Sequence, residues 1–320
     1  MKALVNTAPG RLELLDWPLP EPGPGMLRVK TAFCGICATD LEMIAGWPRT
    51  GFPSIPGHEW SGIIDAVGAG VDGSLVGCRC VAENILSTGG EVGFEVPGGY
   101  GEFLLAETAN VYPLPPDFPL YLGALVEPLA VCLRAVDRLR IADFRKALVI
   151  GDGPIGLLIL LLLQRAGVAE VAVVGGRPYR LALAQQLGAA PVLDYRDTDA
   201  IQGLSKVDYP NIIEASGSDQ AMQTAFALAP HGGHVLVMGD YGPATAGFRW
   251  NDLLHREIEL IGSNASAGAW QPAVRLAVSG ELPLQRIATH RIPIQNYPAA
   301  FNLALDADAP ALRVLLDWEI

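Results

Sequence analysis

Apolar and polar positions change their rhythm twice along the chain. Up to about residue 115 the apolar residues come in short runs, LRVKTAFCG, SGIIDAVGAG and GEFLLAE, broken by turn clusters such as EPGPG and PSIPG. That texture predicts strands and loops, with few stretches that hold helical spacing. From about residue 145 the pattern alternates. KALVI, EVAVV, PVLDY, NIIEAS and HVLVMG read as strands, while PIGLLILLLLQRAG, YRLALAQQLGA and QAMQTAFALA read as helices. Strands alternating with helices of this length predict an α/β unit: a doubly wound parallel sheet with helices on both faces. After about residue 285 short strands return in THRIPI and LRVLLDW. No internal repeat is visible, and whether the two β-rich flanks form one discontinuous domain is left open by the pattern alone.

Composition narrows the class. With 320 residues the chain has room for two average domains. Half of the residues are apolar and 18% are charged, which suffices for a large core and excludes disorder as the main state. The 36 glycines and 25 prolines are scattered and mark many turns. A net charge of −12 without a basic cluster argues against a nucleic-acid partner. The longest apolar run, Ile155 to Leu163, reaches about 14 Å as a helix, under half a bilayer core. The start MKALVNTAPG lacks the apolar run of a signal peptide, so a cytoplasmic protein without a membrane partner is expected. Five cysteines make a disulfide framework improbable, in keeping with a reducing compartment.

Two groups of residues carry candidate chemistry. In ALVIGDGPIGLL, Gly151, Gly153 and Gly156 are spaced G-x-G-x-x-G between a predicted strand and a predicted helix. In that setting the first glycine permits the tight turn, the second lets backbone approach a pyrophosphate, and the third packs helix on sheet. Gly151, Gly153, Pro154, Ile155 and Gly156 are therefore candidate dinucleotide-binding residues. The next strand ends in Gly175-Gly176-Arg177, where such units usually place the carboxylate that binds ribose. Small residues followed by a guanidinium suit a 2′-phosphate, so Gly176, Arg177 and Tyr195 are expected at the adenosine end and NADP(H) is expected over NAD(H). Arg180 is a possible helper. A surface turn, a solvated arginine and a core tyrosine are the competing readings.

The second group is dispersed: Cys37 in CGICATD, His58 and Glu59 in PGHEWSG, and Glu127 in ALVEPLAV. A thiolate, an imidazole and a carboxylate are zinc ligands, with an open position where the metal is catalytic. Asp40 can fix the tautomer of His58. Cys34, Cys78, Cys80 and Cys132 read as core filler, and His231, His234, His255 and His290 as solvated or structural. Trp47 and Trp60 are candidates for a pocket wall or for core anchors.

In their order GICATD, PGHEWSG, GGYGEFLL, ALVEPLAV, VIGDGPIG and THRIPI resemble the zinc-containing medium-chain dehydrogenase/reductases, over nearly the whole chain. Glu127 resembles the sorbitol, threonine and glucose dehydrogenase branch. The resemblance implies a GroES-like β-barrel catalytic domain, residues 1–129 and 289–320, around a Rossmann domain at 130–288. It implies Cys37 and His58 as zinc ligands, with one of Glu59 and Glu127 bound directly. It further implies Thr39 as the hydroxyl that exchanges a proton with bound alcohol, Glu42 in place of the usual relay histidine, and Arg313 at the cofactor pyrophosphate. The four-cysteine lobe of most zinc members is absent from residues 81–99, so one zinc per chain and no structural zinc are expected. A homodimer or homotetramer is expected to move hydride between NADP(H) and a secondary alcohol, polyol or sugar and its ketone or aldehyde. The alternatives are a zinc-free NADPH quinone or enone reductase on the same fold, and a non-catalytic NADPH-binding protein.

Overall fold

The computed structural model describes residues 1–242 and 244–319. The first part of the chain forms β1 (Lys2–Ala8), β2 (Arg11–Asp16), β3 (Met26–Gly35), α1 (Ala38–Ala45), β4 (Trp60–Val67), β5 (Arg79–Ala82), β6 (Phe103–Glu107), β7 (Val111–Pro113), α2 (Leu120–Gly123) and α3 (Val126–Leu139). Then the alternation begins: β8 (Lys146–Ile150), α4 (Pro154–Arg165), β9 (Glu170–Gly175), α5 (Pro178–Gln186), β10 (Val192–Asp194), α6 (Thr198–Gly203), β11 (Asn211–Glu214), α7 (Asp219–Leu228), β12 (His234–Val237), α8 (Trp250–Arg256) and β13 (Glu259–Gly262). The end of the chain adds α9 (Trp270–Ser279), β14 (Ala288–Pro293), α10 (Tyr297–Leu305) and β15 (Arg313–Asp317).

Two compact units result. One holds Met1–Pro128, Trp270–Asp306 and Arg313–Ile320, the other Leu129–Ala269 and Ala307–Leu312. In the first, a seven-stranded sheet runs β14-β15-β3-β4-β5-β7, with β6 also paired to β3. β3 is buried along most of its length because it has neighbours on both sides. β6, reading FLLAE, alternates buried and half-buried residues, the period of a strand with one face inward. Since β15 lies beside β3, the two chain ends do build one discontinuous unit.

The second unit is a parallel sheet of order β10-β9-β8-β11-β12-β13. In order of appearance this is 3-2-1-4-5-6, the doubly wound arrangement whose order reverses between its first and fourth strands. β8 contributes Ala147, Leu148 and Val149 at 0% exposure. α4 is buried at every position from Gly156 to Leu163, as expected of a helix apolar on all sides. No helix among the described residues is long and apolar enough to cross a membrane.

The second expected domain boundary needs correction. The chain rejoins the first unit at Trp270 and not at residue 289. Trp270 stacks on Tyr112 with ring centroids 6.0 Å apart, and Ala273, Val274, Leu276 and Ala277 follow it into the core. α1, at eight residues, is too short to have shown a helical period.

Candidate active site

The pairing of β3 with β4 gathers the dispersed candidates. In its register Cys34 faces Trp60, so the chain leaving β3 toward Cys37 runs beside His58 and Glu59 entering β4. Gly35 N–H donates to the Glu59 carbonyl at 2.7 Å. A side chain on Gly35 would put its Cβ 2.3 Å from Glu59 Oε2, so any larger residue would push that carboxylate out of place. Here ligand atoms of Cys37, His58 and Glu59 all lie within 4.8 Å of one another.

Asp40 holds this cluster in place. It is fully buried, and its Oδ2 accepts from Cys37 N–H at 2.9 Å and from the Tyr100 hydroxyl at 3.3 Å. Its Oδ1 accepts from Gly57 N–H at 3.2 Å and meets His58 Nδ1 at 3.1 Å. An ionised carboxylate only accepts, so Nδ1 is the donor to Asp40 and Nε2 is the nitrogen left to meet a metal. Burial opposes a charge on His58, but Asp40 and Cys37 outweigh it and hold the imidazole pKa well above its ordinary value. Surroundings that favour an imidazolium favour any cation. Glu59 is 1% exposed and pairs with Arg313 at 3.1 Å. Its carboxyl is raised by burial, against the opposing pull of Arg313 and His58.

The donor set fits zinc: a sulfur, an imidazole nitrogen and a carboxylate oxygen. Glu59 Oε2 is moreover buried with no hydrogen-bond partner among the described residues, and a buried acceptor of that kind calls for a partner. Glu127, in the first turn of α3, stands outside that trio but within its field. Burial, reinforced by Glu59 and opposed by His58, pushes its carboxyl up to about 7. Thr39 is half-buried in the first turn of α1, its Oγ1 3.8 Å from Cys37 Sγ. Glu42 lies three residues further along and is exposed, on the same helix face.

Arg313 lies beside the same cluster. Its guanidinium is 4% exposed, pairs with Glu59 and donates to the Ile36 carbonyl at 2.7 Å, so it balances a buried carboxylate.

In the second unit, the turn after β8 has the geometry of a phosphate cradle. Gly151 has φ 134°, a conformation open only to glycine, and a Cβ there would meet the Ala215 carbonyl at 2.8 Å. A Cβ on Gly153 would meet nothing within 4 Å, so that face is open. One on Gly156 would stand 2.0 Å from the Gly151 carbonyl, so helix and turn touch. Pro154 occupies the first turn of α4, and no side chain caps that helix, leaving N–H groups such as that of Ile155 for a ligand. A cavity of about 630 Å³ opens beside this turn, lined by Gly151, Asp152, Gly175, Gly176, Tyr195 and residues of α6 and α7.

At the end of β9 the strand itself carries no carboxylate, as the sequence indicates, but Asp152 reaches it from within the glycine turn: its Oδ2 accepts from Gly176 N–H and Arg177 N–H, each at 2.8 Å. Tyr195 is 61% exposed and its ring lies 2.1 Å from where a Cβ on Gly176 would sit. Arg177 is half-buried as the residue before α5, while Arg180 bonds the Ala311 carbonyl at 3.0 Å.

The remaining candidates are structural. All five cysteines are free, and Cys34, Cys80 and Cys132 are buried. Burial pushes the Cys34 thiol well up, unlike a ligand thiolate. Trp60 is a core anchor, its indole donating to Asn84 at 2.9 Å. Trp47 packs edge-on to Phe94, whose ring lies 4.9 Å from His58. Sequence reading missed Arg49, which reaches Glu91 and Glu95 in the shortened lobe.

A parallel sheet with such a glycine turn is the kind that binds a dinucleotide, and a sulfur–nitrogen–oxygen cluster is the kind that can hold a metal. Comparisons give the family. Residues 23–116 match the family model for the alcohol dehydrogenase GroES-like domain, and residues 154–279 that for zinc-binding dehydrogenase. L-threonine 3-dehydrogenase of Chromobacterium violaceum is 27% identical, the match covering 99% of this chain and all of the relative. Galactitol-1-phosphate dehydrogenase of Escherichia coli is 27% identical with a TM-score of 0.88, over 99% of this chain and 100% of that one. A Sinorhizobium meliloti protein assigned as a zinc-binding dehydrogenase and bound to NADP is 26% identical, with a TM-score of 0.92 over 99% and 98% of the two chains. The chain belongs to the zinc-containing medium-chain dehydrogenase/reductase superfamily.

Proposed function

We propose that this chain is a zinc-dependent, NADP(H)-preferring dehydrogenase of polar secondary alcohols, cytoplasmic and working as a homodimer or homotetramer with one catalytic zinc per chain. The observation that carries the reading is the trio Cys37, His58 and Glu59, with ligand atoms within 4.8 Å of one another and a buried Glu59 oxygen without a hydrogen-bond partner among the described residues. Two of the relatives named above are named for threonine and for galactitol 1-phosphate, molecules with a hydroxyl beside a second polar group, which supports a polyol, sugar or amino-alcohol substrate class.

Cys37, His58 and Glu59 would hold the metal, with Glu127 as the exchanging or water-linked carboxylate. Bound there, zinc supplies the Lewis acidity that makes a substrate hydroxyl easier to deprotonate, and the nicotinamide supplies the hydride acceptor. Thr39 takes the alcohol proton through its hydroxyl. Glu42, exposed one helical step away, is suited to release it to solvent. Asp40 keeps His58 in the tautomer that leaves Nε2 free. Arg313 favours the ionised form of Glu59 against the effect of its burial. In the other unit, the turn from Gly151 to Gly156 binds pyrophosphate through backbone, and Arg177 with Tyr195 receives the 2′-phosphate end.

Elemental analysis of protein expressed with ample zinc, followed by a panel of polyols, sugars, amino alcohols and simple ketones, tests this. About one zinc per chain and turnover of a polar secondary alcohol are expected. No bound metal together with reduction of quinones or enones would replace it by the zinc-free reductase.

A further inference from the structure

The glycine turn carries a charge that phosphate cradling does not need. Asp152 lies between Gly151 and Gly153, in a turn meant to receive an anion. Its carboxylate does not point along that turn. It reaches the end of β9, where Oδ2 takes the backbone N–H groups of Gly176 and Arg177. A Cβ on Gly175 would lie 2.5 Å from both Asp152 Cβ and Oδ2, so Asp152 fills the space a side chain at 175 would need. No hydrogen bond to Oδ1 is present among the described residues, and Asp152 lines the cavity beside Gly175, Gly176 and Tyr195. Nor does the Arg177 guanidinium form an ion pair among the described residues.

In a doubly wound unit, the end of the second strand is where the 2′ position of the adenosine ribose is read, by a carboxylate for a hydroxyl and by a cation for a phosphate. This chain puts the Asp152 carboxylate there, and the residue that follows Gly176 in the chain is the cation Arg177. We propose that Asp152 is a specificity-determining residue: a ribose-reading carboxylate delivered from the glycine turn and not from the second strand. It accepts from the 2′-hydroxyl of NAD(H) through Oδ1 and repels the 2′-phosphate of NADP(H). Cofactor selectivity is then the difference between attraction by Arg177 and repulsion by Asp152, and the enzyme accepts both nucleotides. This rests on the reading of the cavity as a nicotinamide-dinucleotide site.

The substitution that isolates the charge is Asp152→Asn. An amide oxygen still accepts from Gly176 and Arg177, so the turn keeps its bonds while the charge is lost. Dissociation constants for NADP+ and NAD+ are measured by isothermal titration calorimetry, without substrate. Asp152→Asn is expected to shift the ratio of the two constants toward NADP+ by about 10-fold, mainly through tighter NADP+ binding. The shift should shrink toward 1 M salt, where the Debye length falls to about 3 Å. Asp152→Ser, which keeps an acceptor but not the shape, should move the ratio the same way. Arg177→Ala should move it in the opposite direction. A ratio unchanged within twofold, a shift toward NAD+, or an equal loss for both nucleotides would overturn the proposal and leave Asp152 as a turn support. The NADP(H) reading fails separately, if the wild type favours NAD+ and Arg177→Ala changes nothing while Asp152→Asn still shifts the ratio.

Discussion

The metal-side cluster and the nucleotide turn solve their tasks with different parts of the chain. Cys37, His58, Glu59 and Arg313 come from both chain ends, and the chemistry they offer is entirely in their side chains. Four of the charged or polar groups there, Asp40, His58, Glu59 and Arg313, are at most 7% exposed. Such groups are tolerable only because each is paired. From Gly151 to Gly156 the opposite holds: six consecutive residues, three of them without a side chain, present backbone N–H groups and open space. One region should therefore fail when a functional group is exchanged at constant shape. The other should fail when shape is added without any functional group.

The largest expected effect removes a ligand group from the first region. Cys37→Ser and His58→Ala should each remove the zinc, read by elemental analysis as a fall from about one per chain toward zero. Turnover should drop by about 10³-fold or more, the several kcal/mol that a Lewis acid contributes. Full zinc content in both variants would mean that the trio is not the site. Thr39→Val comes next. It is nearly isosteric, keeps zinc, and should lower turnover by about 10²-fold, as for loss of a positioned proton-transfer group. An unchanged hydride-transfer rate would strip Thr39 of its role.

Gly156→Ala applies the complementary test to the turn. The added methyl meets the Gly151 carbonyl at 2.0 Å, backbone that cannot swing aside. Dinucleotide affinity should fall by about 10-fold or more while zinc content stays at wild-type level. Loss of zinc with retained nucleotide binding would invert the comparison. Gly175→Asp is a poorer probe than the sequence suggests, because its side chain would collide with Asp152.

How each region could be read in sequence follows from the same contrast. The turn and its flanking elements are contiguous, so spacing and a change of hydrophobic period revealed β8, α4 and the order of the alternation. The reach of Asp152 depends on where the backbone of β9 ends, 24 residues away, and spacing carries no such distance. A charged residue inside a glycine turn was nevertheless a visible signal. At the metal side, residue types were legible but not their partners. Only the β3–β4 register separates Glu59 from Glu127, and only the folded ion pair shows that Arg313 serves Glu59. The late boundary at Trp270 was hidden because one stacked aromatic pair, not a composition change, fixes it.

The smallest expected effect sharpens the comparison at the edge of the metal-side unit. Where most zinc members of the superfamily carry a four-cysteine lobe, this chain has a shortened loop gathered around Arg49. The guanidinium pairs with Glu91 and with Glu95 at 2.7 Å, and lies 4.4 Å from the centre of the Phe94 ring, itself packed on His58. These side chains are between 23% and 37% exposed, so water screens them. A partly exposed ion pair of this kind contributes about 1 kcal/mol. Arg49→Ala should lower the Tm by about 2–4 °C with zinc content unchanged at about one per chain. The pH dependence has a definite sign. Arg49 holds the Glu95 carboxyl below its ordinary 4.5, so the stabilisation is present above that value and is lost as pH falls through the lowered one. The Tm difference between wild type and Arg49→Ala should therefore close on acidification. A difference that persists in acid would make the ring contacts of Arg49, rather than its carboxylate pairs, the support of the loop. Loss of zinc in Arg49→Ala would show instead that the loop is needed to keep His58 in place.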